Sequence, residues 1–577
     1  MSAASLPKHL QKYIVDQGER PYTPVDQAVW RFALRQLRHF LSRHAHESYI
    51  KGLEETGIEI ESIPKIEDIS HKLSRFGWRA LPVSGFIPPA AFMELQALNV
   101  LPIASDIRSL DHLLYTPAPD IIHEAAGHAP MLAHPEFAEY LTNYAQVAKK
   151  AIISAEDLAI YRAIRVLSDV KENPTSTTED IRRAETELSH AVEASTHVSE
   201  ATWLSRMNWW TAEYGLIGDL RSPRIFGAGL LSSVGEARWC LSDKVKKIPL
   251  TIDCINYSYD ITEPQPQLFV TPDFATLGRV LQELAEKMAF RIGGISGVQR
   301  AIQAATINTL ELNSGLQISG KCEEMILDEG NSIAYLRFSG PCQLSSHEKE
   351  LPGHGTTTHS HGFGTPTGRL KQFADRCPST LNSAEWATLG GKEGQRARFE
   401  FTSGVVVEGV FKSRSKHTDR TVLVSLSDAK AEYRGRVLFD PTWGDYDMAV
   451  GSEVVSVFGG PADRIRYGET EDFVASRVPV PAYSEAELRR HDLYGKVRSL
   501  RKERIKGRDL ASRIGEIFAA IEPRSTRDWL LVMELYELAL NRSEDEKLTL
   551  TLRSWLEEAS GQYEIIKDGL ELASMMD

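Results

Sequence analysis

One carboxylate, Glu213, constrains this chain more than any other residue, because it lies inside the apolar run Trp209-Trp210-Thr211-Ala212-Glu213-Tyr214-Gly215-Leu216. A lone carboxylate among aromatic rings is costly to bury unless it is paired or bound to a metal. The fold must therefore bring a cation to it, either an arginine or a metal ion. The segment Pro119-Asp120-Ile121-Ile122-His123-Glu124-Ala125-Ala126-Gly127-His128 offers a way to hold one. Pro119 and Asp120 suit a helix entry, so His123 and Glu124 are expected in the first turn and His128 about one and a half turns later. On a regular helix a spacing of five sets the two imidazoles roughly 140° apart. They can share an ion only if the helix is locally adjusted or the ion lies across its face. A zinc hydrolase would want H-E-x-x-H, with both histidines stacked at i and i+4, and the spacing here counts against that reading. Two imidazoles and one carboxylate on one face leave open positions, which is the facial triad of non-haem iron(II) enzymes. Ordinary polar helix residues and a Glu–Arg pair remain the plain alternatives.

The rest of the chain sets the context. Its 577 residues exceed one typical domain, and a formal net charge of -13 argues against a nucleic-acid surface. Five scattered cysteines form no C-x-x-C pair and no disulfide framework. With no apolar leader and no run of membrane-spanning length, a cytoplasmic protein is expected.

Apolar positions at helical spacing (Val29, Phe32, Leu34, Leu37, Phe40, Leu41) predict amphipathic helices between about 24 and 54. Two helical runs around Asn173-Pro174 predict a hairpin inserted at about 145–203, a packed surface appendage whose second helix is capped by Ser176 and Glu179. After about Ser314 short alternating runs (Ala334 to Phe338, Arg398 to Phe401, Val405 to Phe411, Val422 to Leu426, Glu453 to Phe458) predict antiparallel strands. Residues 345–368, rich in Gly, Thr and His, read as a solvated linker. Its His347, His354, His359 and His361 raise a second metal site, but no carboxylate follows close behind. From Ser484 onward helix returns, with Leu530, Leu531, Met533, Leu535, Leu538 and Leu540 marking an apolar face.

Several blocks carry a family resemblance. Tyr115-Thr116-Pro117-Ala118-Pro119-Asp120 running into His123-Glu124 and Gly127-His128, the Trp209 to Leu216 block, and Phe226-Gly227-Ala228-Gly229-Leu230-Leu231-Ser232-Ser233-Val234-Gly235-Glu236 resemble the signature blocks of biopterin-dependent aromatic amino acid hydroxylases, in family order. Ile63 to Ser70, Leu81 to Gly85 and Ile261 to Pro266 are similar too, so the likeness spans about residues 20–295.

The resemblance implies a mainly α catalytic domain of aromatic amino acid hydroxylase type at 1–315, and the strand and helix patterns beyond it, which match nothing in the family, imply a small β-rich domain at 316–480 and a C-terminal helical segment at 481–577. It implies iron(II) on His123, His128 and Glu213, and a tetrahydropterin (tetrahydrobiopterin or a related pterin) contacted by Ile87, Phe92 and Glu124. Arg108, supported by Asp120 and Tyr115, would grip the substrate carboxylate. Thr116, Trp209, Ser232 and Ile261 would line the amino acid pocket, with Glu124 and Ser232 also in catalytic roles. The expected reaction is ring hydroxylation of an aromatic amino acid with O2. An aliphatic residue at Ile261 favours phenylalanine over tyrosine, and tryptophan stays open. The family's N-terminal regulatory domain and tetramerisation tail are not expected. The C-terminal half is expected to serve oligomerisation or a protein partner, and a non-catalytic binding protein is the alternative of another class.

Overall fold

The computed structural model describes residues 5–19, 22–85, 87–113, 119–173, 176–261, 263–468, 483–503, 505–521 and 528–575. The helix Pro24–His44 opens the first core. Thr23 accepts from the backbone of Asp26, and Asp26 accepts from that of Thr23, so two donors at the helix start are satisfied together. Val29, Phe32, Leu34, Leu37 and Leu41 are buried as their spacing predicts. Two arginines, Arg31 and Arg35, are buried with them, which no amphipathic pattern anticipates.

Their partners come from the far end of the chain. The helix Trp529–Arg542 is buried on every side from Trp529 to Ala539, rather than along the single apolar face that its leucines predict. Its Glu534 receives Arg31 Nε at 2.6 Å and Arg31 Nη2 at 2.8 Å, and its Glu537 pairs with Arg35 and Arg501. Phe32 meets the edge of Trp529 at 5.1 Å between ring centroids. The C-terminal helices thus close onto the same apolar core as residues 28–288.

Between these layers, strands Arg79–Val83 and Val100–Ala104 pair in parallel across the helix Pro89–Ala97. A small four-strand sheet (224–225, 216–217, 267–271, 246–249 in spatial order) lies beside the ligand segments. The predicted hairpin is present as helices Ala155–Glu172 and Thr178–Glu193. The cap of the second helix sits one residue later than expected: Thr177 pairs with Asp180, not Ser176 with Glu179.

The later part is antiparallel β. One sheet runs 349–350, 333–346, 317–327, 308–312, 454–459, with 362–366 also on 333–346. The other runs 396–400, 405–417, 420–433, 436–439, with 446–449 also on 420–433. All five predicted strands fall in these ladders.

Residues 345–368 are no solvated linker. They carry strands Lys349–Glu350 and Gly362–Pro366, and the loop between is tied to the sheet by Leu344 N donating to His354 O at 2.9 Å and Cys342 N to His359 O at 3.0 Å. The glycines serve turn geometry: Gly353 and Gly362 have φ of 83° and 132°, which a side chain would strain. Among the described residues no helix is long and apolar enough to cross a membrane.

Candidate active site

The spacing problem of His123 and His128 is resolved by the backbone. Residues Ile122–His128 form a π-helix, whose i to i+5 hydrogen bonds bring residues five apart onto one face. Trp209–Glu213, continuing the helix Glu200–Asn208, is a second π segment. The two wide turns face each other. His123 Nε2 and His128 Nε2 lie 3.2 Å apart, and Glu213 Oε2 and Oε1 lie 3.3 Å from His123 Nε2 and His128 Nε2 respectively.

Glycines let the segments approach this closely. A Cβ on Gly127 would lie 2.6 Å from Ala228 O, and one on Gly227 would lie 2.4 Å from Gly215 N and 2.5 Å from Glu213 O. The Gly-rich block 227–231 is therefore a packing surface for both ligand segments.

Two imidazole nitrogens, each facing one oxygen of the same carboxylate at these distances, fit a metal ion. An ion bound at about 2.1 Å holds its ligand atoms about 3.0–3.4 Å apart, depending on geometry. A network of protein atoms alone would have to supply a proton along each of these contacts. Burial pushes the Glu213 carboxyl up, but His128 and His123 outweigh it and hold it well below the usual carboxylate range. Burial works against the charged form of His128, yet Glu213 and then Glu124 push it up to about 9. Glu213 is thus held as a carboxylate facing a positive charge, as its apolar run demands.

The supporting residues are also in place. Ser232 Oγ lies 3.1 Å from His123 Nδ1, which orients Nε2 toward His128 and Glu213. Asp120 accepts from His123 N at 3.0 Å while its oxygens receive Arg108 Nη2 and Nε at 2.7 and 2.8 Å, so cap and arginine support coexist. Arg108 Nη1 donates to Ser232 O at 3.1 Å. Two of its five N–H donors are left, among the described residues, for a ligand. Glu124 is buried, 4.0 Å from His128 Nε2, and burial pushes its carboxyl up.

Trp209 stacks on Tyr259 at 4.2 Å and on Tyr214 at 4.5 Å. Half-buried Ile261 follows Tyr259 by two residues. Ile87 and Phe92 belong instead to a separate small cluster with Leu81, Val83, Leu95 and Val100. Tyr115 and Thr116 lie outside the described residues. Two residues escaped the sequence reading: Asn208, whose Nδ2 donates to Glu213 Oε1 at 3.3 Å, and Tyr259. Asn208 stands five residues before Glu213, a spacing that only the π turn makes meaningful.

A sequence model of the biopterin-dependent aromatic amino acid hydroxylases matches residues 15–164 and 188–299. Over this part, a little under half of the chain, the sequence is similar to that family. The unmatched gap falls inside the helical hairpin. Among similar proteins, the phenylalanine-4-hydroxylase of Pseudomonas aeruginosa is 29% identical over 270 residues, covering 46% of this chain and 86% of that protein. The phenylalanine-4-hydroxylase of Rattus norvegicus is 30% identical over 262 residues, covering 44% of this chain and 48% of that protein. A solved structure of phenylalanine hydroxylase from Chromobacterium violaceum with bound iron(III) and 7,8-dihydrobiopterin is 23% identical, with a TM-score of 0.38 over 49% of this chain and 92% of that one.

Proposed function

We propose that this chain converts L-phenylalanine to L-tyrosine with O2 and a tetrahydropterin, using iron(II) held by His123, His128 and Glu213. The observation that carries the proposal is the cluster of two imidazole nitrogens and one carboxylate, with closest approaches of 3.2–3.3 Å, in a chain that matches the model of a biopterin-dependent family. Bound there, iron(II) offers open positions and, with the reduced pterin, the electrons that dioxygen needs to react with a closed-shell ring.

The chain's own residues bind and orient. Arg108 is fixed in the plane set by Asp120 and presents the rest of its fork to the amino acid carboxylate, a match of planar groups. Trp209, flanked by Tyr214 and Tyr259, offers an aromatic wall for the substrate ring. The apolar side chain of Ile261 suits a ring without a hydroxyl. Glu124 and Ser232 act beside the ion, Ser232 by holding the His123 ring and Glu124 as a buried carboxyl facing the pterin. The contacts of Ile87 and Phe92 with the pterin, and of Thr116 and Tyr115 with the substrate and Arg108, rest on the resemblance alone. A division at about residues 315 and 480, and a role for the later parts in self-association or partner binding, belong to the same proposal.

Aerobic turnover of phenylalanine with iron(II) and tetrahydropterin tests this reading. Tyrosine is expected from the wild type and not from Glu213→Ala. No product from phenylalanine, tyrosine or tryptophan would overturn it. Product from tryptophan or tyrosine alone would keep the chemistry and move the substrate.

A further inference from the structure

A second cluster of the same composition lies in the β-rich part. His354 and His359 stand in the loop between strands Lys349–Glu350 and Gly362–Pro366, and Asp447 lies on strand Tyr446–Ala449 of the other sheet. His354 Nδ1 and His359 Nε2 are 3.3 Å apart, and Asp447 Oδ2 is 3.6 Å from the first and 3.9 Å from the second. We propose that these three side chains bind a divalent transition-metal ion of the zinc class, which joins the 351–361 loop to the neighbouring sheet.

Hydrogen bonding within the protein does not account for the arrangement. One proton can lie between the two imidazoles, but the carboxylate oxygen is then too far from either ring to accept well. An ion at about 2.1 Å in tetrahedral geometry would set its donors about 3.4 Å apart, so a modest inward movement of Asp447 closes the triangle. The donors are also held for the purpose. Ser425 Oγ donates to Asp447 Oδ1, leaving Oδ2 turned to the histidines. The His359 ring meets the edge of Phe363 at 5.3 Å, and the backbones of both histidines are tied to the sheet. Imidazole and carboxylate together suit a borderline ion better than magnesium or calcium, which prefer all-oxygen shells. The side chains are 16%, 9% and 16% exposed, so a fourth position opens to water. Of the other two histidines in this region, His347 faces His417 instead and His361 is exposed.

The test uses the full-length chain stripped with a chelator and then given zinc(II) alone, with bound metal counted after gel filtration. Wild type is expected to hold two equivalents, His128→Ala one, and His128→Ala/Asp447→Ala none. Zinc should raise the melting temperature of His128→Ala and leave that of the double variant unmoved. An Asp447→Ala chain that holds as much zinc as wild type, or a folded His128→Ala chain that binds no zinc, would overturn the proposal. If His128→Ala does not fold, the wild type against Asp447→Ala decides, with one equivalent fewer expected in the variant. The count is independent of hydroxylation, so failure here and failure of the proposed activity are separate results.

Discussion

Two clusters of the same donors, His123–His128–Glu213 and His354–His359–Asp447, sit on unlike frames. The first is built from two π turns that both pack on the Gly-rich block 227–231, and its closest approaches all lie at 3.2–3.3 Å. The second hangs from a sheet-edge loop and one strand, and its edges run from 3.3 to 3.9 Å. Both histidine pairs are five residues apart in sequence. In one case a widened helix makes that spacing work, in the other a looped turn does. The donor set therefore specifies the class of ion, while the frame decides how rigidly the ion is held and what else can reach it. Around the first cluster stand Arg108, Trp209 and a buried Glu124, and around the second a hydroxyl and a phenyl edge.

The comparison breaks most visibly at the carboxylates. Glu213→Ala is expected to lower tyrosine formation on the order of 10³-fold or more, since the ion supplies several kcal/mol of the acceleration. Asp447→Ala is expected to leave that rate within about twofold, the size of an ordinary remote change. Steady-state rates under saturating iron(II) check both, and an equal loss in the two variants would erase the distinction between a reacting and a joining site. Next in size is Arg108→Lys. Losing a bidentate partner for the substrate carboxylate should raise KM on the order of 10–100-fold with a smaller change in kcat. An unchanged KM would remove Arg108 from the substrate site.

Smaller effects probe the hydroxyls that orient each cluster. Ser232→Ala should weaken metal binding at the first cluster by about 10–100-fold, the usual size for loss of a group that fixes a ligand ring. Ser425→Ala should fall at the low end of that range, because the carboxylate it supports sits on a strand paired on one side only. Competition against a chelator of known strength measures both. A larger loss at Ser425 than at Ser232 would mean that the β-sheet cluster is the more tightly organised of the two.

The first cluster was legible because its residues announce themselves locally. Glu213 is conspicuous as the lone charge in an aromatic run, and His123 and His128 follow a helix-entry signal. Even the need for an adjusted helix follows from their spacing. The second was half legible: the histidines stand out in the sequence, but Asp447 arrives 88 positions after His359 through pairing of strands 420–433 and 446–449. No local pattern encodes that juxtaposition. The same reason hides the burial of Arg31 and Arg35, which pair with Glu534 and Glu537 about 500 residues away. Strand cores, by contrast, follow local alternation: the five predicted runs fall on strands, while the strands 317–327 and 362–366 are missed.

Glu534 completes the argument, because it takes the alternative that stood open for Glu213. It too is a carboxylate inside an apolar helix, yet its cations are Arg31 and Arg501 rather than an ion held by histidines. Burial pushes its carboxyl up, but the arginines, Arg501 foremost, outweigh this and hold it below its ordinary 4.5. The stability it contributes is therefore complete above pH 4.5, where the unfolded carboxylate is also ionised, and is lost as pH falls through the lower folded value. Chelation should leave this contribution untouched. Hydrogen exchange of the helix Trp529–Arg542 is expected to stay slow at pH 6 with or without chelator, and to show more frequent opening below about pH 4 once the intrinsic pH dependence of exchange is divided out. Opening driven by chelator at pH 6 would show instead that the C-terminal helices depend on a metal, and the contrast between an arginine-paired and a metal-paired glutamate would fall.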